Sequence, residues 1–346
     1  QSFEYCGHQG GYTYKLHYFY FTHVMLAQGS LRDRTGVLFT LVDDPWSADV
    51  VFCVDSGAAR FLNESSGREH KPLLVVIEGM DSGPVWTDTA ALENPRTVAC
   101  LKPHLSLPPH GMCFKGWPRR ERGYLELLRQ LEFGHVPANA YIDARLADQL
   151  LAESECKPVP TDKILTIIPT EFTVHHAGPP LSELVPPSER PIDVSFAGNV
   201  HYGKSATGQA ISRHRRSVVN LTQEACRKHG LTCNITVGRV EKNVYLHLLK
   251  DSKIFLSPFG FGEWSIKDEE AILSGAVVLK PGASLLAAAI PMYTPNVTCL
   301  ETRPDGADTG DVLQRALSKD GLLLLDKIQV QAHQVSSQFT TYGRAA

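Results

Sequence analysis

Short, unbroken apolar runs separated by longer mixed segments dominate the first part of the chain. Such runs stand at 36–42, 48–54, 72–78 and 164–168. Four to eight apolar residues without alternation suit strands buried on both faces of a parallel sheet. Between them, 12–27, 119–133 and 138–152 carry apolar residues at helical spacing. Then Gly178-Pro-Pro and the stretch from Pro186 to Pro191 interrupt the pattern with proline and polar residues, as a linker does. The alternation restarts beyond it: strands at 192–197, 232–237, 254–257 and 276–279, helices at 211–229 and 240–249, and a largely helical tract at 311–335. Strands separated by helical patterns predict βαβ units. The expected fold is α/β: one doubly wound, Rossmann-like unit over 1–185, a second over 186–325, and a C-terminal helix over 326–346 packing back toward the hinge. A cleft would lie between the two units.

Composition narrows the function classes. At 346 residues the chain exceeds what one core usually supports. A net charge of −3 with 21% charged residues lacks the basic surface a nucleic-acid binder needs. The longest membrane-span candidate, 271–292, is broken by Lys280, Pro281 and Gly282. Gln1 is neither a start methionine nor the head of a signal peptide, so the chain reads as trimmed. Asn63-Glu-Ser, Asn220-Leu-Thr, Asn234-Ile-Thr and Asn296-Val-Thr are N-glycosylation acceptors, and eight cysteines accompany them. Together they favour the secretory pathway. The cysteines are scattered, which argues against a zinc site. Cys100 with Cys113, and Cys226 with Cys233, are expected local disulfides, whereas Cys53 inside its apolar run reads equally as a buried thiol.

Candidate chemistry concentrates in Ser257-Pro-Phe-Gly-Phe-Gly-Glu-Trp-Ser-Ile-Lys-Asp-Glu-Glu270. A strand end, a turn with Gly260 and Gly262, and a charged helix entry follow one another. In α/β sheets ligands sit outside the carboxyl ends of strands, and a helix N-terminus favours an anion. Ser257, Phe259, Gly260, Gly262, Glu263, Lys267, Glu269 and Glu270 are therefore candidates for holding a phosphorylated ligand. Lys267 supplies a cation and Glu270 meets ribose or sugar hydroxyls. The plainer reading is an acid-rich first helical turn with a Lys267–Glu270 pair at i,i+3. A second strand end, at Gly198-Asn199, leads through His201 and Lys204 into a basic helix start with Arg213 and Arg215. Gly198 permits close approach, and Lys204, Arg213 and Arg215 are cation candidates; Arg216 reads as a solvated helix face. The loop is not the dinucleotide fingerprint, so no NAD is expected.

Residues 257–281 resemble the donor-binding segment of exostosin-like glycosyltransferases. Lys267, Glu270-Ala271, Gly275 and Pro281 match the family's basic residue, acidic-Ala pair, glycine and strand-ending proline. The basic residue is often arginine there, and lysine lacks its bidentate geometry. The match covers about a quarter of the chain. The resemblance implies the GT-B arrangement of two Rossmann-like domains. It also implies transfer of a sugar from a UDP- or GDP-linked donor to a hydroxyl of a glycan or glycoprotein in the Golgi or endoplasmic reticulum lumen. The donor is a co-substrate, so no cofactor is implied. No Asp-X-Asp stands at a strand end, which fits a metal-independent enzyme, and neither HExxH nor G-x-S-x-G occurs. His8, Glu78 and Asp81 are alternative bases for the acceptor hydroxyl, with Glu171 further off. A membrane anchor would lie outside this chain, and an oligomer is compatible. The alternatives are a non-catalytic glycan-binding or partner subunit on the same fold and, more remotely, a sugar-phosphate isomerase.

Overall fold

The computed structural model describes residues 30–32, 38–40, 46–77, 89–102, 104–106, 162–166, 179–203, 206–260, 265–288 and 291–342. These residues form parallel-sheet α/β structure of the expected class, built on two separate parallel sheets. The first combines β3 (Val50–Val54), β4 (Leu73–Ile77), β5 (Thr97–Lys102) and β7 (Ile164–Thr166), in the order β3-β4-β5-β7 and all parallel. Helices α1 (Asp55–Glu64) and α2 (Thr89–Glu93) connect its strands. One core joins Val51, Phe61, Leu62, Leu74, Val76 and Leu92.

Three expectations change here. The apolar run at 36–42 yields β2 (Leu38–Thr40), which pairs antiparallel with β1 (Ser30–Arg32) outside the parallel sheet. Only residues 33–37 separate the two strands, too few for the crossover a parallel neighbour requires. Cys100, expected in a loop bridge to Cys113, is a buried thiol in β5. Strands β4 and β7 flank it and its side chain joins the apolar layer; Cys113 lies outside the described residues. Cys53, equally readable as a thiol, is disulfide-bonded instead.

The second sheet is larger. Its strands are β8 (Ile192–Gly198), β9 (Cys233–Val237), β10 (Ser252–Leu256), β11 (Val277–Pro281) and β13 (Leu300–Thr302), in the order β13-β11-β10-β8-β9, all parallel. Helices α3 (Ala206–His229), α4 (Lys242–Asp251), α5 (Ile266–Leu273), α6 (Thr309–Ala316) and α7 (Lys319–Tyr342) cover both faces. Alternation along the central strand β10 shows the two layers. Phe255 joins the core beneath α4 and α5, while Ile254 and Leu256 join the core with Val218, Val219 and Leu313, as a period of two dictates.

Local signals set the helix ends. The Glu241 carboxylate caps α4 by accepting from Asn243 N and Val244 N, both at 3.1 Å. Ser265 caps α5 through its hydroxyl. Gly275, at φ +81°, ends α5 with a paired return: Ala276 N donates to Ala271 O and Gly275 N to Ile272 O, both at 2.9 Å. The expected Cys226–Cys233 disulfide joins the end of α3 to the start of β9.

The linker is pinned rather than loose. Arg190 is buried and donates to Val185 O, Leu249 O, Ser252 O and Ser274 O. Ser188 donates its N–H and hydroxyl to Asp326 on α7, and His333 Nε2 lies 3.0 Å from Pro179 O. One strand pair crosses between the two sheets' territories: β6 (His104–Ser106), just after β5, pairs antiparallel with β12 (Leu286–Ala288), just after β11.

Candidate functional site

The second sheet has one topological switch point. From β8 the chain adds β9 on one side, then crosses to place β10 on the other side of β8. Loops leaving β8 and β10 therefore diverge and leave a crevice at their carboxyl ends, where such sheets bind ligands. Arg215 spans that crevice. Its Nε donates to Asn199 O, after β8, at 2.8 Å. Its Nη1 donates to Pro258 O at 2.5 Å and Phe259 O at 2.7 Å, after β10. Lys267, in the first turn of α5, donates through Nζ to Ala197 O at 2.6 Å.

Both cations converge on Gly198. A Cβ at that position would stand 3.2 Å from Arg215 Nη2 and 3.2 Å from Lys267 Nζ. With Phe196 at 3.4 Å as well, the two cations pack so closely over the Gly198 backbone that a side chain would have to displace them. Neither cation forms an ion pair among the described residues; their hydrogen bonds go to carbonyl oxygens. Burial lowers the Arg215 pKa. Burial, followed by repulsion from Arg215, lowers that of Lys267. Two half-desolvated positive charges side by side are costly unless an anion joins them. Lys267 lies in the first turn of α5, whose dipole adds to the positive field.

The lysines frame an aromatic ring. Lys267 Nζ lies 5.4 Å and Lys242 Nζ 5.7 Å from the centroid of Tyr245. Glu270 pairs with Lys242 across α4 and α5, not with Lys267 as the i,i+3 reading had it. Its carboxylate is buried, while Lys242 is half-exposed. Burial and the charge of Glu270 raise the Tyr245 pKa, so the phenol is neutral.

Other candidates are committed elsewhere. Ser257 is buried and donates its hydroxyl to Asp268. Phe259 is buried and stacks on His214 at 5.3 Å. Arg213 is exposed and lies two residues, roughly 200°, around α3 from Arg215, away from the crevice. Asn199 and His201 close a tight turn: His201 N donates to Asn199 Oδ1 at 2.9 Å. Glu269 is buried and stands roughly 200° around α5 from Lys267. Burial, then the charge of Glu270, pushes its pKa up to about 9, so it is a neutral acid at pH 7. Gly260 is half-buried. His8, Glu78, Asp81, Glu171, Lys204, Gly262 and Glu263 lie outside the described residues.

Sequence reasoning missed the network that fixes the crevice floor. Asp268 and Lys280 form a fully buried ion pair at 2.8 Å. Tyr293 donates its hydroxyl to Asp268 Oδ2 at 2.6 Å, and Lys280 lies 5.5 Å from the Phe259 ring centroid and 5.3 Å from that of Tyr293. This network ties the strand ends of β10 and β11 to the first turn of α5. The available signal was a lysine closing the apolar run Ala276-Val-Val-Leu-Lys280, since a charge in a buried strand needs a partner. Among the described residues, no group of three His, Cys, Asp or Glu side chains is placed to hold a metal.

No family model and no curated protein matches the chain. Solved structures do. One is described as trehalose-6-phosphate from E. coli bound with UDP-2-fluoro glucose: 13% identity over 88% of this chain and 72% of that one, TM-score 0.42. Another is sucrose-phosphate synthase from Thermosynechococcus elongatus, at 11% identity over 86% and 70%, TM-score 0.40. A third is Anabaena HepE in complex with UDP-glucose, at 10% identity over 86% and 78%, TM-score 0.37.

Proposed function

We propose that this chain is a GT-B glycosyltransferase similar to exostosin-like enzymes, and that the crevice between β8 and β10 holds a nucleotide-diphosphate sugar. One observation carries the reading: Arg215 and Lys267, neither in a salt bridge among the described residues, close together on the bare backbone of Gly198 at the sheet's switch point. A diphosphate would supply the missing negative charge, and Arg215, fixed by three carbonyls, would meet it without reorganising. Glu270, held beside Lys267 by Lys242, would accept hydrogen bonds from donor hydroxyls. Charge developing on the leaving diphosphate would fall on these cations and the α5 N-terminus, with no metal required.

In this reading residues 186–325 form the donor unit, 1–185 the acceptor unit, and the helix beyond 326 packs toward the hinge. The base that takes the proton from the acceptor hydroxyl is one of His8, Glu78 or Asp81. The acceptor is a glycan or glycoprotein in the Golgi or endoplasmic reticulum lumen. Titration calorimetry with UDP and GDP tests the site. Wild type should bind at least one of them, and Lys267→Met should weaken it by about 10- to 100-fold, the loss of one charge-assisted hydrogen bond. Heat-unfolding should stay close to wild type, because the substitution also removes the repulsion from Arg215. No binding of either nucleotide by wild type, or wild-type affinity in the variant, would sink the assignment. Binding with no sugar transfer would select the non-catalytic partner reading.

A further inference from the structure

The four Asn-X-Ser/Thr triplets take no part in the crevice, yet their placement has a pattern. All four asparagines are exposed. Asn63 is the ninth of ten residues in α1, which starts at the carboxyl end of β3 and runs back toward the amino ends. Arg96, just before β5, donates to Leu62 O beside it, so Asn63 stands at the amino-end side of its sheet. Asn234 is the second residue of β9, an edge strand. Asn296 lies in the turn that enters β13, with a left-handed φ of 59°. Asn220 lies five residues beyond Arg215 on α3, about 7.5 Å further from the crevice and on another face of the helix. None of the four asparagines stands at a strand's carboxyl end; Asn234 lies opposite Ser195, three residues before Gly198. Two further facts point to an oxidising compartment: the Cys226–Cys233 disulfide and the disulfide-bonded Cys53.

We propose that Asn63, Asn220, Asn234 and Asn296 carry N-linked glycans that coat the flanks and amino-end sides of the two sheets and leave the carboxyl-end rim bare. In each modification the asparagine amide nitrogen attacks C1 of an oligosaccharide carried on a lipid diphosphate. The C1–O bond to phosphate breaks, the N–C1 bond forms, the lipid diphosphate leaves, and the amide proton passes to a base of the transferring enzyme. Timing follows from the hydroxyls. Ser65, Thr222 and Thr298 are buried, and their hydroxyls donate to Leu62 O, Val218 O and Pro291 O. The recognition hydroxyl of those three triplets is sealed once the chain folds, so they are modified before folding. On β9 a glycan at Asn234 has a structural consequence as well, because it covers an exposed sheet edge, a site of unwanted strand pairing.

This inference rests on the lumenal reading and is independent of the donor site. The test is to secrete the full chain from a eukaryotic host behind a cleavable leader, release N-glycans enzymatically in heavy-oxygen water, and map the labelled aspartates by mass spectrometry. Label at three or all four of Asn63, Asn220, Asn234 and Asn296 is expected; label at two or fewer overturns the proposal. UDP affinity measured before and after glycan release should agree within twofold, and a gain of tenfold or more on release overturns the bare rim. Absence of UDP and GDP binding in both preparations counts against the donor site and leaves the glycan map as it stands.

Discussion

At the residue scale the crevice is built from charges that differ in how they are compensated. Asp268 and Lys280 compensate each other fully and are further bonded by Tyr293 and Ser257. Removing one partner of such a pair strands the other in the core, so they hold geometry rather than bind ligand. Arg215 and Lys267 hydrogen-bond to carbonyls and lie over aromatic rings, with Asp268 and Glu270 attracting from farther off and no salt bridge among the described residues, which leaves room for an anion. Glu269 is a third case, a buried acid whose pKa lies at about 9 against an ordinary 4.5. In the folded chain it keeps its proton where the unfolded chain loses it. The stability it contributes is complete below about pH 4.5 and falls progressively until about pH 9, by up to about 1.4 kcal/mol per pH unit. His214, pushed down to about 3 mainly by burial, has the opposite sign and costs stability as pH falls below its unfolded value. The Glu269 contribution is therefore read as a difference. Between pH 6.5 and 8.5, urea unfolding of wild type should lose stability relative to Glu269→Gln, with the gap widening by about 2–3 kcal/mol. A constant gap would show that Glu269 is already ionised in the native protein.

At the element scale much of the second unit was legible from its sequence. The strands at 192–197, 232–237, 254–257 and 276–279 fall within or beside β8, β9, β10 and β11, because continuous apolar runs between capped helices admit few other readings. What stayed hidden was pairing. Nothing in 97–102 distinguishes a strand buried between two others from a loop bearing Cys100, since Thr97 and Lys102 dilute its apolar character. Lys267 and Glu270 were legible as site candidates, but their partners, Ala197 O and Lys242, lie 70 and 28 residues away, beyond any local pattern. Gly275 shows how one residue satisfies several demands. It answers to two structural demands, a left-handed φ and a lack of space: a Cβ would stand 2.2 Å from Arg190 Nη2 and 2.6 Å from Gln329 Nε2. Those groups also hold the linker and α7, through Val185 O and Gly275 O. Gly275→Ala should therefore cost about 2–5 kcal/mol, the sum of left-handed strain and overpacking. A loss below about 1 kcal/mol in urea unfolding would show that Arg190 yields easily and that the linker is not fixed by it.

At the scale of the whole molecule, the described residues make two parallel sheets with separate cores. Phe61, Leu74 and Leu92 centre one; Phe196, Phe255, Ile272 and Leu279 lie in the cores that sandwich the other. Joined by a pinned linker and by the β6–β12 pair, such units need not unfold in one step. In the proposed reading, a nucleotide between β8 and β10 is held mainly by the second sheet and its helices. Its linkage free energy, about 2.7 kcal/mol at a hundredfold excess over Kd, should fall on that unit first. Amide hydrogen exchange separates the two. With UDP at that excess, peptides from 192–281 should gain protection approaching this value. Peptides from 50–77, in the core of the first sheet, should change little, and those carrying 104–106 and 286–288 should fall between, because their pairing couples the units. Equal gains in both sheets would mean that the molecule opens as a single cooperative body. Gains confined to 50–77 would move the nucleotide out of the crevice altogether and leave Arg215 and Lys267 as a purely structural pair.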